Sequence, residues 1–237
     1  MRRWPKTVTA HNTERPARRG RPPQTREQAD EVRARIVAAT ADVFTRTGSR
    51  GLSVAQIIDQ AGLARPTFYR YFANAAEPLH ALLTVSNRDL VGGIRSALGT
   101  ATGPLQGVEL GIRLIDAYLA WARGHGTMLR PLFAELHDPG SPVSAYREEA
   151  LEDIRGIIRE TFRVLGRRVP APLDLDAALH HCEYVVYRVS AAAAPGSEPE
   201  PAVVDEARLT MIRVLLTTLG TRSDIEYALT IPGLLRD

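Results

Sequence analysis

At 237 residues, 44% hydrophobic and 24% charged, the chain is long enough for one or two domains with their own apolar cores and too apolar for wholesale disorder. Its single cysteine, Cys182, excludes an internal disulfide and a cysteine-paired zinc or redox site, which fits a reducing cytoplasm. The net charge of +3 conceals a split: residues 1–75 hold 14 Lys/Arg against 6 Asp/Glu, a balance suited to a phosphate backbone, whereas the rest carries 16 against 21 and would be repelled by one.

In chain order, residues 1–28 are rich in Pro, Arg, Thr and Gln with little apolar content, which predicts a disordered basic arm. Arg2 and Arg3 are followed by Pro5, Thr7, His11 and Asn12, not by the apolar run of a signal peptide. No later stretch approaches the ~18 uninterrupted apolar residues of a membrane span, so a cytoplasmic protein with no membrane partner is expected. From Asp30, helical spacing of Val32, Ile36, Ala39 and Val43, widened by Phe44, predicts an amphipathic helix that stops at Gly48. Ser53 is placed to cap a short helix carrying Val54, Ile57, Ile58 and Ala61, which Gly62 ends in a left-handed conformation. After the turn Gly62-Leu63-Ala64, a third helix opens at Arg65-Pro66, where proline's missing N–H does no harm, and is predicted to run to about Phe72. Asn74 and Glu77 form a capping-box pattern for a long fourth helix with Leu79, Leu82, Leu83, Ser86 and Leu90 on one side.

Beyond Gly99 the chain reads as helical throughout, with breaks at Gly124-His125-Gly126, Asp138-Pro139-Gly140, 169–172 and 195–201. The helix over 107–123 is apolar nearly all round, which predicts a central buried element. The fold class is therefore all-α: a three-helix unit with a helix-turn-helix at 29–75, and a larger helical domain at 76–237.

A helix-turn-helix binds DNA because its second helix lies in the major groove with its first turn against the base edges. Ile57, Ile58, Ala61, Leu63 and Phe68 are spaced to clamp the two helices together, which leaves Ala64, Arg65, Pro66, Thr67 and Arg70 facing outward. From Ile36 to Leu83 the chain resembles the tetracycline-repressor (TetR) family: Ile36-Val37-Ala38-Ala39, Val43-Phe44, Gly48, Leu52-Ser53-Val54, Ala61-Gly62-Leu63 and Thr67-Phe68-Tyr69-Arg70-Tyr71-Phe72 fall where that family's pattern puts them. The resemblance implies base contacts from Arg65, Pro66 and Thr67 and phosphate contacts from Ser53, Tyr69 and Tyr71, with Tyr71 open to a second reading as partly core. It also implies that 29–75 is a three-helix DNA-binding domain and that 76–237 is a helical ligand-binding and dimerisation domain, which dimerises through its last two helices. Arg65 can donate two parallel hydrogen bonds to a guanine edge, and Thr67 offers a methyl to thymine. Two positions depart from the family: Ala75 replaces a common phosphate-binding lysine, and Ala64 a common Ser/Thr cap. Arg18-Arg19-Gly20-Arg21-Pro22 resembles an AT-hook, so Arg19 and Arg21 are candidates for the minor groove of A·T-rich DNA.

The C-terminal half carries no signature motif. Trp121, Met128, Phe133, His137, Phe162, His180, Tyr184 and Tyr187 are candidates to line a mainly apolar small-molecule pocket. No metal is expected, because adjacent His180 and His181 point to different sides of a helix. No cofactor and no catalysis are expected either: the chain lacks Gly-x-Ser-x-Gly, His-Glu-x-x-His, P-loop and dinucleotide fingerprints. The expectation is a homodimeric regulator, a repressor released from a palindromic operator by a small apolar effector. The alternatives are a constitutive DNA-binding dimer and a helical enzyme with a DNA-binding module.

Overall fold

The computed structural model describes residues 25–99, 107–194 and 197–235; the basic arm, with Arg19 and Arg21, lies outside them. The described residues form ten α-helices and no strand: α1 (Arg26–Thr47), α2 (Val54–Ala61), α3 (Arg65–Phe68), α4 (Ala76–Gly99), α5 (Gly107–His125), α6 (Leu129–Glu135), α7 (Pro142–Val164), α8 (Pro172–Ala192), α9 (Pro201–Leu219) and α10 (Arg222–Ala228). A 3₁₀ turn (Gly126–Met128) joins α5 to α6.

The helix ends follow local chemistry. α1 starts four residues before Asp30, because the Thr25 hydroxyl accepts from Gln28 N while Gln28 Oε1 accepts from Thr25 N, a reciprocal box that draws residues 26–28 out of the expected arm. Gly48 (φ +67°) and Gly62 (φ +60°) end α1 and α2 in backbone that other residues adopt only with strain. α3 is shorter than the sequence predicts. Ala64 provides no side-chain cap, and after Phe68 the chain continues to Phe72 in tight turns, with Arg70 N donating to Thr67 O and Tyr71 N to Phe68 O. Asn74 Oδ1 caps α4 by accepting from Ala76 N and Glu77 N, while Glu77 reaches back to Ala73 N, so Pro78 fits into the first turn unopposed.

Two apolar clusters organise the molecule. Ile36, Ala39, Val43, Ile57, Ala61, Phe68 and Phe72 make the small core of α1–α3. The larger cluster fills the space among α4–α10 and takes in Phe44 of α1. Val43 and Phe44, consecutive on α1, thus point into different cores, and Leu52 packs against both.

α10 adds one helix to those the sequence delimits. A Thr221–Asp224 capping box starts it, and buried Asp224 also accepts from Gly107 N (2.6 Å) and pairs with Arg167, tying the chain's end to the start of α5.

Candidate nucleic-acid interface and effector cavity

The helix-turn-helix is built from α2, the Gly62 turn and α3. Buried Ile57, Ala61 and Phe68 hold the helices together, with Ile58 and Leu63 half-buried at the edge. Arg65, Pro66, Tyr69 and Arg70 are exposed; Thr67 is half-buried. Arg65 lies along the Tyr69 ring, 5.7 Å from its centroid, with Nη2 3.4 Å from the Tyr69 hydroxyl. Tyr69 in turn packs edge-on against Phe68, so the guanidinium rests on an aromatic strut fixed to the core. Tyr71 is half-buried against the small core, in keeping with the second reading of that residue. Ser53 caps α2, accepting from Gln56 N and donating to Gln56 Oε1 at 2.7 Å.

The turn between α1 and α2 is fastened to the C-terminal half. Ser49 N donates to Glu135 Oε1 (2.8 Å), Ser141 Oγ donates to the other oxygen of Glu135, and Arg50 pairs with Asp138 (2.7 Å). Glu135 ends α6, next to Leu132, Phe133 and Leu136.

Those three α6 neighbours line a cavity of about 80 Å³ whose other walls come from α4, α5, α7 and α8. Of the residues the sequence singles out for a pocket, Trp121 and Phe133 line this cavity. Trp121 stacks on Tyr118 (5.7 Å, 10° between planes) and its indole N–H donates to Ser86 O. The other expected residues lie elsewhere. Met128 is buried in the 3₁₀ turn that packs on α1, and Phe162 borders a separate space of about 40 Å³ beside Arg167. His137 and His180 are exposed, their rings facing at 6.4 Å, and Tyr184 (60% exposed) and Tyr187 lie on the outer face of α8. The reason is angular: at 3.6 residues per turn, Leu179, Cys182, Glu183 and Val186 share the inner face of α8, which sends His180, Tyr184 and Tyr187 outward.

Sequence reasoning missed the polar members of this wall. Arg147 is 6% exposed and makes a fork with Glu183 (2.7–3.1 Å), itself 14% exposed. Both interrupt apolar stripes, Arg147 among Val143, Ala150 and Leu151, and Glu183 between Leu179 and Val186; a charge on a core stripe was the available signal. Burial, then the charge of Glu183, pushes the Cys182 thiol up to about 12, and the same two causes raise the Tyr118 hydroxyl well above the ordinary tyrosine range. A larger, more polar groove of about 310 Å³ lies where the end of α5, α8 and the start of α9 meet.

Among the described residues, no cluster of His, Cys, Asp and Glu is arranged to hold a metal, and no helix is long and apolar enough to cross a membrane.

Residues 36–82 match the model of the bacterial regulatory proteins of the tetR family. The chain is 34% identical over 73 residues to the HTH-type transcriptional activator FasR of Mycolicibacterium smegmatis, covering 31% of this chain and 33% of that protein. It is 38% identical over 60 residues to the HTH-type transcriptional regulator TtgR of Pseudomonas putida, covering 25% and 29%. The matched stretch thus spans about a third of the curated relatives' length. In fold, the chain is similar to the fatty acid degradation regulator FadR of Bacillus halodurans (TM-score 0.61, 20% identity, 76% of this chain and 94% of that one). It is also similar to a TetR-family transcriptional regulator of Syntrophomonas wolfei (TM-score 0.63, 16% identity, 81% and 97%). The N-terminal module of the chain, residues 36–82, is thus that of the bacterial regulatory proteins of the tetR family, and it is the part these relatives share.

Proposed function

We propose that the protein is a homodimeric DNA-binding transcriptional repressor, released from a palindromic operator when a small, mainly apolar molecule enters the cavity beside Trp121 and Phe133. The supporting observation is the joining of the two halves. α4 and α6 each form part of the cavity wall, and each also packs on α1 of the DNA-binding module. A ligand releases DNA only if it prefers a conformation whose recognition helices are wrongly spaced, and ~1.4 kcal/mol of such preference is a tenfold loss of affinity.

In this reading 29–75 is the DNA-binding domain and 76–237 the sensing and dimerisation domain. Arg65, Pro66 and Thr67 meet bases; Ser53, Tyr69, Arg70 and Tyr71 meet the backbone; Arg19 and Arg21 reach the minor groove. The second subunit docks on α8 and α9. Their buried residues Leu179, Cys182, Val186, Met211 and Leu215 already serve the subunit's own core, so the face left for a partner is the one with Tyr184, Tyr187 and Val203.

The small cavity favours one other reading, a DNA-binding dimer without effector: about 80 Å³ is well below the ~300 Å³ or more of a ready-made ligand pocket. Binding-site selection from a random DNA pool, followed by a screen of apolar compounds for release of the selected DNA, tests both. The effector reading expects a palindrome and compounds that release it. A palindrome that no compound releases supports the constitutive dimer, and the absence of any enriched sequence overturns both.

A further inference from the structure

The cavity just assigned to an effector is not uniformly apolar, and its polar groups are unequal. The Arg147–Glu183 pair is already satisfied: Nε and Nη2 of the guanidinium bond the carboxylate, and Nη1 bonds Glu148. A cationic or anionic ligand entering here would have to separate that pair and leave one partner buried without its counter-charge. Two hydroxyls are not satisfied. Ser86, 4% exposed on α4, has a side chain with no hydrogen bond to any described residue, although its carbonyl accepts from Trp121. Tyr118, across the cavity on α5, likewise has a hydroxyl with no partner among the described residues, near the carboxylate of Glu183 and the thiol of Cys182. Neither hydroxyl oxygen is among the fully enclosed polar atoms without a partner; both residues line the cavity, so an occupant of this space gains by meeting them.

We infer that the cavity takes an uncharged, mainly apolar molecule bearing a hydrogen-bond acceptor, such as a carbonyl oxygen, which the Tyr118 and Ser86 hydroxyls recognise while the Arg147–Glu183 pair stays closed. This rests on the reading of the cavity as the effector site. The closed Arg147–Glu183 pair disfavours a charged ligand, the Tyr118 and Ser86 hydroxyls can donate to its polar group, and the leucine and isoleucine walls from α4, α5 and α7 set the rest.

The test uses the full-length protein and four compact probes of one ring size: cyclohexanone, cyclohexane, cyclohexanecarboxylate and cyclohexylammonium. Their affinities are measured by ligand-observed NMR titration in wild type, Tyr118→Phe and Ser86→Ala. The ketone is expected to bind tighter than either ion. Tyr118→Phe is expected to weaken the ketone by about tenfold, one hydrogen bond's worth, with cyclohexane unchanged. Unchanged cyclohexane binding also shows that the variant cavity is folded; should Tyr118→Phe not fold, the same comparison is made with Ser86→Ala. An ion that binds tighter than the ketone overturns the inference, as does a ketone-to-alkane ratio untouched by both substitutions, which would place the probe in the groove between α8 and α9. DNA release is measured separately. Ketone binding that leaves DNA bound defeats the regulatory reading alone, and loss of ketone selectivity defeats only this inference.

Discussion

At the scale of single residues, Arg65 and Asp224 are held by their surroundings in opposite ways. Arg65 is exposed and lies on Tyr69, so its fork is pre-positioned with little packing at stake. Arg65→Ala is therefore expected to leave the melting temperature nearly unchanged while reducing operator affinity by about 1–3 kcal/mol per half-site and relaxing base preference. Quantitative binding to the selected operator checks this, and an unchanged preferred sequence would move recognition elsewhere. Asp224 is buried. Burial works to raise its pKa, but hydrogen bonds from Thr221, Arg167 and Gly107 outweigh that and hold it below the ordinary aspartate value. Because the folded state binds this proton less readily, the stabilisation is complete above the unfolded value of about 3.9 and is lost as pH falls through the lower folded value. Asp224→Asn, which leaves the Arg167 guanidinium without its counter-charge, is expected to destabilise the protein by about 3 kcal/mol at neutral pH and to flatten the acid limb of its stability curve. Urea unfolding between pH 2 and 7 reads both effects.

At the scale of elements, much was legible because caps and periodicity are local. Ser53, Gly48 and Gly62 mark their helix ends in the sequence as they do in the structure. The Thr25 box and α10 are equally local, carried by Thr25-x-x-Gln28 and Thr221-x-x-Asp224. The cavity wall was less legible, since membership depends on which face of α8 turns inward, and α8 has apolar or aromatic residues on both. In the proposed reading α6 carries part of the coupling: Phe133 lines the cavity two residues before Glu135, which accepts from Ser49 N of the α1–α2 turn. Of the two links there, Arg50–Asp138 contributes little, because Arg50 is 77% exposed and such pairs are worth at most ~1 kcal/mol. Glu135→Ala is expected to weaken the effect of a cavity ligand on DNA release several-fold without changing ligand affinity; equal loss of both would mean that α6 has simply unfolded. In α4, a Cβ added at Gly92 or Gly93 meets nothing within 4 Å, so close packing does not require these glycines. Replacing both by alanine is expected to stabilise the helix by about 1–2 kcal/mol and to blunt the ligand response. Thermal unfolding and DNA release with and without ligand measure the two effects, and a loss of stability would show that the glycines pack against a partner subunit.

At the scale of the whole molecule, two apolar cores share α1, and in the proposed reading the smaller body tilts against the larger one when a ligand enters the cavity. Along the chain, most of the positive excess of residues 1–75 lies in residues 1–24, ahead of α1, while residues 76–237 carry a negative excess. One subunit presents one recognition turn, and tight reading of a palindrome needs two, set about 34–36 Å apart on successive major grooves. Hydroxyl-radical footprinting of the full-length protein on its selected DNA tests this most directly. Two symmetric protected segments centred one helical turn apart, both lost in Arg65→Ala, are the predicted result. A single protected segment, or two that survive Arg65→Ala, would contradict a dimer that reads its operator through α3.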